Sequence, residues 1–258
     1  MKIYLGSAVY KQVHAGFHES VVLLHEQCRE AGHELTEALV VGDALVDRAR
    51  NIAASCFLRS DCDVLLTIDS DIWFRPLDAI RLCQQAMALD MVGALYVTRG
   101  LQRQPAMLLP EEEAIEFKGD SGPVAVPFLS TGFMAVHRRV FEHLSKMLPL
   151  CHQGWEDRGA DTSFWPFYMP FTQPWPGDVN MYLSEDWAFC QRAKNEGWKC
   201  YLDPSIRLGH YGEAMFTLED LARESKPVPG PMKLLRHTDG TLETFTKVGV
   251  ARGKEQLE

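Results

Sequence analysis

Leu65-Leu66-Thr67-Ile68-Asp69-Ser70-Asp71 places two carboxylates two residues apart at the end of a short apolar run. That run, Val64 to Ile68, reads as a strand buried on both faces. In open α/β sheets ligands bind beyond the carboxyl ends of strands. If Asp69 were still extended, its side chain and that of Asp71 would project the same way. Hard carboxylate oxygens suit Mg²⁺ or Mn²⁺, and such a cation suits a diphosphate. The same residue types also make plain turns where strands end. Ser184-Glu185-Asp186 opens a helix whose buried side would include Trp187, Cys190 and Ala193. Acids in a first helical turn stabilise it by ~0.3–1 kcal/mol; facing an acceptor hydroxyl, one of them could instead serve as general base. Leu208-Gly209-His210-Tyr211-Gly212 sets a histidine between glycines, placed to complete a carboxylate–carboxylate–imidazole set with positions open for substrate oxygens.

Other polar residues join this group. Ser130-Thr131-Gly132-Phe133 is a polar entry into an apolar strand, and Gly132 either permits close backbone approach to a ligand or marks a bulge. Arg48, Asn51 and Ser55 form one polar stripe on a helix that starts at a strand's carboxyl end; the plain alternative is a solvated face. Trp155, Phe164, Trp165, Phe167, Tyr168, Phe171 and Trp175 crowd among prolines and glycines. They suit either an acceptor-binding lid, since rings stack on sugars and bases, or the internal packing of a long loop.

The elements that must position these residues follow from periodicity. Ile3 to Val9, His33 to Val41, Val64 to Ile68 and Met91 to Val97 read as strands. Between them, Ser20 to Ala31 carries Val21, Leu24 and Cys28 on one helical face, with Gly32 at its end. Asp43 is placed to cap a helix striped by Leu45, Ala49, Ile52, Ala53, Cys56 and Phe57, and Pro76 opens another to about Leu89. This alternation predicts an α/β fold with βαβ units and a largely parallel sheet. Residues 103–136 read as shorter strands with turns (Glu111 to Glu113, Gly119 to Pro123), followed by a helix at Arg138 to Lys146. A helix from Ser184 to Gly197 then leads into a strand, Trp198 to Leu202. After Gly212 the chain turns polar, and its last dozen residues read as a mobile tail. One continuous domain over 1–215 is expected, with a nucleotide-binding half (1–100), an acceptor-side half (101–215) and a partly mobile extension (216–258).

Composition sets the bounds. The 258 residues carry a formal charge of −9 and are 46% hydrophobic and 24% charged, an ordinary globular balance. No apolar run approaches the roughly 18–20 residues of a membrane span. The acidity disfavours a broad nucleic-acid surface, which would be basic. Part of it has a local meaning if Asp69, Asp71, Glu185 and Asp186 converge on one cation. Seven cysteines without a CxxC pair read as reduced thiols in a cytoplasmic protein, and the N-terminus lacks a secretory apolar core.

The order and spacing of DSD (69–71), STGF (130–133), SEDWAFCQRAKNEGW (184–198) and LGHYG (208–212) resemble a metal-dependent GT-A glycosyltransferase of the family 2 type, over residues 1 to about 215. The resemblance implies a Rossmann-like, mostly parallel sheet flanked by helices, with a smaller mixed acceptor-side region. It implies transfer of a sugar from a nucleotide-diphosphate sugar, expected to be a UDP-sugar, to an acceptor hydroxyl with inversion. Asp69, Asp71 and His210 would hold Mn²⁺ or Mg²⁺, and Asp186 would deprotonate the acceptor with Glu185 in support. Ser7, Ala8, Val9, Asp43, Arg48, Asn51, Asp69, Ser70, Gly132 and Phe133 fall where the family grips nucleotide and sugar. The family's Pro-x-x-Asn-like opening is here Ser7-Ala8-Val9-Tyr10, which leaves the base unassigned. Saccharide, protein, lipid-linked sugar and, as in phages, a modified DNA base stay open as acceptors. Two other classes compete. A haloacid-dehalogenase-like phosphohydrolase also sets DxD after a strand, but Trp73 stands where it wants Thr or Val. A non-catalytic carbohydrate-binding module would use the aromatic stretch without needing the carboxylates.

Overall fold

The computed structural model describes residues 1–99, 103–119, 121–152, 163–175, 177–212, 214–222 and 232–246. Trp155, part of the turn at Gly119 to Pro123, and the terminal dozen residues read above as a tail lie outside them. The first half of the chain runs β1 (Lys2–Val9), α1 (Ala15–Glu30), β2 (Glu34–Val41), α2 (Val46–Arg59), β3 (Val64–Ile68), β4 (Ile72–Trp73), α3 (Pro76–Leu89) and β5 (Met91–Gly93). Next come β6 (Ala114–Phe117), β7 (Val124–Val126), β8 (Phe133–His137), α4 (Arg138–Leu144), β9 (Phe171–Trp175) and β10 (Val179–Leu183). The remainder is α5 (Glu185–Asn195), β11 (Cys200–Leu202), β12 (Gly209–Tyr211), β13 (Met215–Phe216), β14 (Met232–Arg236) and β15 (Leu242–Thr246).

Seven strands form one sheet in the order β2-β1-β3-β8-β5-β11-β7. Only β8 and β7 run against the other five, so the sheet is mostly parallel. Strand alternation divides the core in two. Ile3, Leu5, Val64, Leu66, Ile68, Phe133 and Ala135 face the helices α1 and α3, whose Phe17, Val21, Leu24, Leu82, Cys83 and Ala86 close over them. Tyr4, Leu65, Met134 and Val136 face the other way, toward Ala54 and Phe57 of α2, Phe141 of α4 and Phe189 of α5. Leu65, Thr67 and then Asp69 lie on this second side by the same parity. The architecture is α/β, with a central seven-stranded sheet between helices and smaller antiparallel sheets at its margins.

Several elements differ from what local pattern predicts. The strand read as Met91 to Val97 ends at Gly93, although the whole stretch is buried. An apolar run therefore marks burial here and only in part a strand. Asp43 does not cap α2: Leu45 is the N-cap, and the Asp43 carboxylate accepts the Leu45 N–H at 2.9 Å and both arms of the Arg48 guanidinium at 2.7 Å. The stripe on α2 shifts too. Leu45 and Cys56 are exposed, whereas Arg50, Asn51 and Ser55 are buried. Polarity after Gly212 suggests no core element, yet β14 pairs with both β15 and β6, and Leu234 is fully buried. All seven cysteines are free thiols, and no helix among the described residues is long and apolar enough to cross a membrane.

Arg138 ties the second layer together. Its guanidinium donates to the carbonyls of Phe57 (3.0 Å), Leu58 (3.1 Å), Ser60 (2.7 Å) and Cys62 (2.6 Å), at and just beyond the carboxyl end of α2. Arg138→Ala is expected to lower unfolding stability by about 3 kcal/mol, because charged hydrogen bonds to part-buried carbonyls are lost together. Urea denaturation read by circular dichroism checks this, and an unchanged midpoint would contradict it.

Candidate active site

The site lies beyond the carboxyl end of β3, and a buried arginine organises it. Arg50 of α2 is 8% exposed and spans two carboxylates: Nη2 donates to Asp69 at 2.8 Å and Nη1 to Glu185 at 3.0 Å. Burial works against a guanidinium charge, but Asp69 and Glu185 outweigh it and raise the Arg50 pKa. Arg50 falls on the helical face of Ala54 and Phe57, spaced i, i+4 and i+7, so it must enter the layer between sheet and α5. Sequence reasoning missed it. The available signal was a basic residue in register with an apolar stripe on a helix that begins at a strand's carboxyl end.

The Asp-Ser-Asp motif does not continue β3. A tight turn follows, with Ile72 N–H donating to the Asp69 carbonyl at 3.0 Å. The two carboxylates therefore have different partners. Asp69 meets Arg50, while Asp71 meets Arg99 Nη1 at 2.6 Å and His210 Nε2 at 3.5 Å. Burial pushes the Asp71 carboxyl up, but His210 and Arg99 together hold it below the usual carboxylate range. His210 arrives there by backbone pairing. It lies opposite Ile72 in the β12–β4 ladder, and Tyr211 N–H donates to the Asp71 carbonyl at 2.9 Å. The other ring nitrogen of His210, Nδ1, is 2.7 Å from the Val97 carbonyl, which can only accept, so Nδ1 carries a proton. Nε2 is thereby aimed at an Asp71 oxygen.

The first turn of α5 completes the site from the far side. Asp186 Oδ1 accepts from the Ser184 hydroxyl and from Trp187 N–H (2.8 Å), and its Oδ2 accepts from Ser130 Oγ at 3.0 Å. The Tyr96 hydroxyl in turn donates to Ser130 at 3.1 Å. Tyr96 is buried, which raises its pKa, and nearby Asp69 adds to this. Its ring also stands edge-on to His210, at 5.1 Å between centroids. Tyr96 thus touches both halves of the site. Gly132 sits beneath: a Cβ there would lie 2.3 Å from the Tyr96 hydroxyl and 2.8 Å from Asp69 Oδ2. Gly132 reads in the sequence as a point of close approach to a ligand or as a bulge; the groups that approach it here are protein side chains.

The other sequence-selected residues are distributed around this centre. Ser70 faces the 12–14 loop, its carbonyl accepting His14 N–H at 2.9 Å. Asn51 accepts the Tyr168 N–H at 2.7 Å and Ser55 the Trp165 N–H at 3.0 Å, so the polar stripe of α2 anchors the segment that follows residue 162. Arg48 is half-exposed and paired with Asp43. Ser7 and Val9 share the face of Ile3 and Leu5, away from Arg50, and are buried; Ala8 is half-buried. Phe133 is fully buried against Phe74, at 5.4 Å between centroids, so its side chain belongs to the core. The aromatic stretch divides. Phe167 and Tyr168 are core residues, while Trp175 near the tip of the β9–β10 hairpin is half-exposed.

No protein family matches this chain, and no curated protein matches it in sequence. Similar solved structures are distant. A197 from STIV is 16% identical over 98% of each chain, with a TM-score of 0.49. A glycosyltransferase involved in the glycosylation of the major capsid of PBCV-1 is 13% identical, with a TM-score of 0.33 over 57% of this chain and 63% of that one. S. aureus TarS 1–349 in complex with UDP-GlcNAc is 11% identical, with a TM-score of 0.42 over 86% of this chain and 64% of that one.

Two outcomes are expected of this geometry. Arg50→Met leaves two carboxylates facing each other without a cation and should cost about 3 kcal/mol in chemical denaturation. Adding Glu185→Gln to that variant should restore part of the loss, and an additive double variant would show that the bridge is not the cause. Gly132→Ala should lower stability by about 1–3 kcal/mol, because the new methyl displaces Tyr96 or Asp69 from a packed layer. Thermal unfolding measures it.

Proposed function

We propose that this chain is a cytoplasmic, metal-dependent glycosyltransferase that moves a sugar from a nucleotide-diphosphate sugar, by our reading a UDP-sugar, to an acceptor hydroxyl. The supporting observation is the Asp71–His210 pair. The Val97 carbonyl fixes Nδ1, so Nε2 faces an Asp71 oxygen at 3.5 Å, and a cation bound by both would take the place of a proton between them. A backbone carbonyl holding the second ring nitrogen is the usual support for a ligating imidazole. Among the described residues no three His, Cys, Asp or Glu side chains are gathered as a metal site. Asp69, the expected third member, is engaged by Arg50. The donor set therefore fits Mn²⁺ or Mg²⁺ held by Asp71 and His210, with substrate phosphates filling the remaining positions.

Sugar transfer develops positive charge at the anomeric carbon and negative charge on the departing diphosphate. A bound divalent cation supplies Lewis-acid stabilisation of that leaving group. Asp186 is the proton acceptor. Its Oδ1 is fixed by Ser184 and Trp187 N–H, and among the described residues Oδ2 shares its lone pairs with Ser130 alone. As the acceptor oxygen bonds to the anomeric carbon, its proton passes to Asp186. The bond between sugar and diphosphate breaks, and its electron pair stays on the phosphate oxygen. Attack from the face opposite the leaving group inverts the anomeric centre. Glu185 acts through Arg50 as a positioning residue, because its carboxylate is committed to the guanidinium. Ala8 and Ser70 border the strand ends where the nucleotide would lie.

Asp186→Asn should lower transfer by roughly 10²–10⁴-fold, the usual contribution of a positioned base, while its melting temperature stays near the parent's. Asp71→Asn should lose transfer together with cation binding. Both are read by donor consumption over a panel of nucleotide sugars with Mn²⁺. UDP with Mn²⁺ should raise the parent's melting temperature, and EDTA should remove the gain. Phosphate release from monoesters without any nucleotide sugar would favour a phosphohydrolase. Saccharide binding without donor turnover would favour a binding module.

A further inference from the structure

Arg99 sits on the wrong partner for a working cation site. Its Nη1 lies 2.6 Å from Asp71 Oδ2, while the other oxygen of that carboxylate faces His210 Nε2 at 3.5 Å. A guanidinium and a divalent cation cannot share one carboxylate without like-charge repulsion. The two arginines of the site differ in how freely they can leave. Arg50 is enclosed and bridges two acids, whereas Arg99 is 50% exposed and, among the described residues, has one carboxylate and the Tyr211 carbonyl at 3.4 Å. The stem of Arg99 is seated against Gly212, where a Cβ would meet Arg99 Cδ at 3.2 Å. Its root is fixed by paired bonds between Thr98 and Gln104, N–H to carbonyl at 2.9 Å and N–H to Oγ1 at 3.0 Å. The head can therefore swing while the root stays beside Asp71. Diphosphate oxygens on a cation at Asp71 would lie within that swing, and a planar guanidinium fork matches them.

We propose that Arg99 is the resident counter-ion of the cation site: it occupies Asp71 while the site is empty, and passes to the donor's diphosphate when a divalent cation takes its place. This rests on the cation reading given above. It requires opposite effects on two ligands when Arg99 is removed. A residue that merely holds the loop would weaken both, and a simple phosphate ligand would weaken one and leave the other alone.

The test uses the full chain and its Arg99→Gln, Arg99→Lys and Asp71→Asn variants, with Mn²⁺ binding followed by electron paramagnetic resonance and UDP binding by calorimetry at saturating Mn²⁺. Arg99→Gln should bind Mn²⁺ alone roughly three- to fivefold more tightly, the scale of a part-exposed ion pair. It should bind UDP roughly tenfold more weakly, as the loss of charge-assisted hydrogen bonds dictates. Arg99→Lys, which keeps the charge without the fork, should restore the parent's Mn²⁺ affinity and only part of the UDP affinity. Mn²⁺ affinity unchanged or lowered in Arg99→Gln, or UDP affinity unchanged, overturns the proposal. Equal Mn²⁺ binding by the parent and Asp71→Asn overturns the cation reading itself, and the role of Arg99 with it.

Discussion

The Arg50 guanidinium, buried between Asp69 and Glu185, is the constraint on which the site depends. An unpaired buried cation costs several kcal/mol, so α2 can pack against the sheet only if both carboxylates come with it. That requirement joins three elements far apart in sequence: α2, the end of β3 and the first turn of α5. It also sets the separation between the strand that carries the Asp-Ser-Asp motif and the helix that carries Asp186. The arginine is part of the frame that holds the site's carboxylates, and its fork geometry is what lets one residue hold two acids at once.

A second consequence is a division of labour within the motif. The turn after Ile68 gives Asp69 to the arginine and Asp71 to His210 and Arg99. A single carboxylate facing an imidazole is a sparse set for a cation, and it suits one whose coordination is finished by phosphate oxygens. The two arginines of the site differ in setting. Arg50 is permanent, being enclosed. Arg99 is open to water and rooted beside Asp71.

The Asp186 side and the Asp71–His210 side of the site meet at Tyr96. Its hydroxyl supports Ser130 and through it Asp186, while its ring packs on His210. Gly132 leaves room for this junction, since any side chain there would collide with both Tyr96 and Asp69. Such contiguity lets a small shift on one side be felt on the other, because a packed interior responds by displacement more than by compression.

Much of this was legible in the chain itself. The strands before Asp69 and in the first hundred residues, the helix Pro76–Leu89, and the acids that open α5 all follow from periodicity and capping, which act within a few residues. The candidate chemistry at Asp71, His210 and Asp186 was readable from residue type and from position at element ends. What local pattern could not reveal was which charges face one another. Arg50 looks like any solvated helical residue until α5 supplies Glu185, and the stripe of Asn51 and Ser55 looks exposed until the segment carrying Trp165 and Tyr168 closes over it. The strand after Met91 stops at Gly93, and Tyr96 beyond it stands against Gly132, the residue before the neighbouring strand β8. Periodicity records which residues are buried, since burial follows the repeat of one element. The pairing of buried charges is decided only when several elements pack, because their attraction outweighs desolvation only at contact.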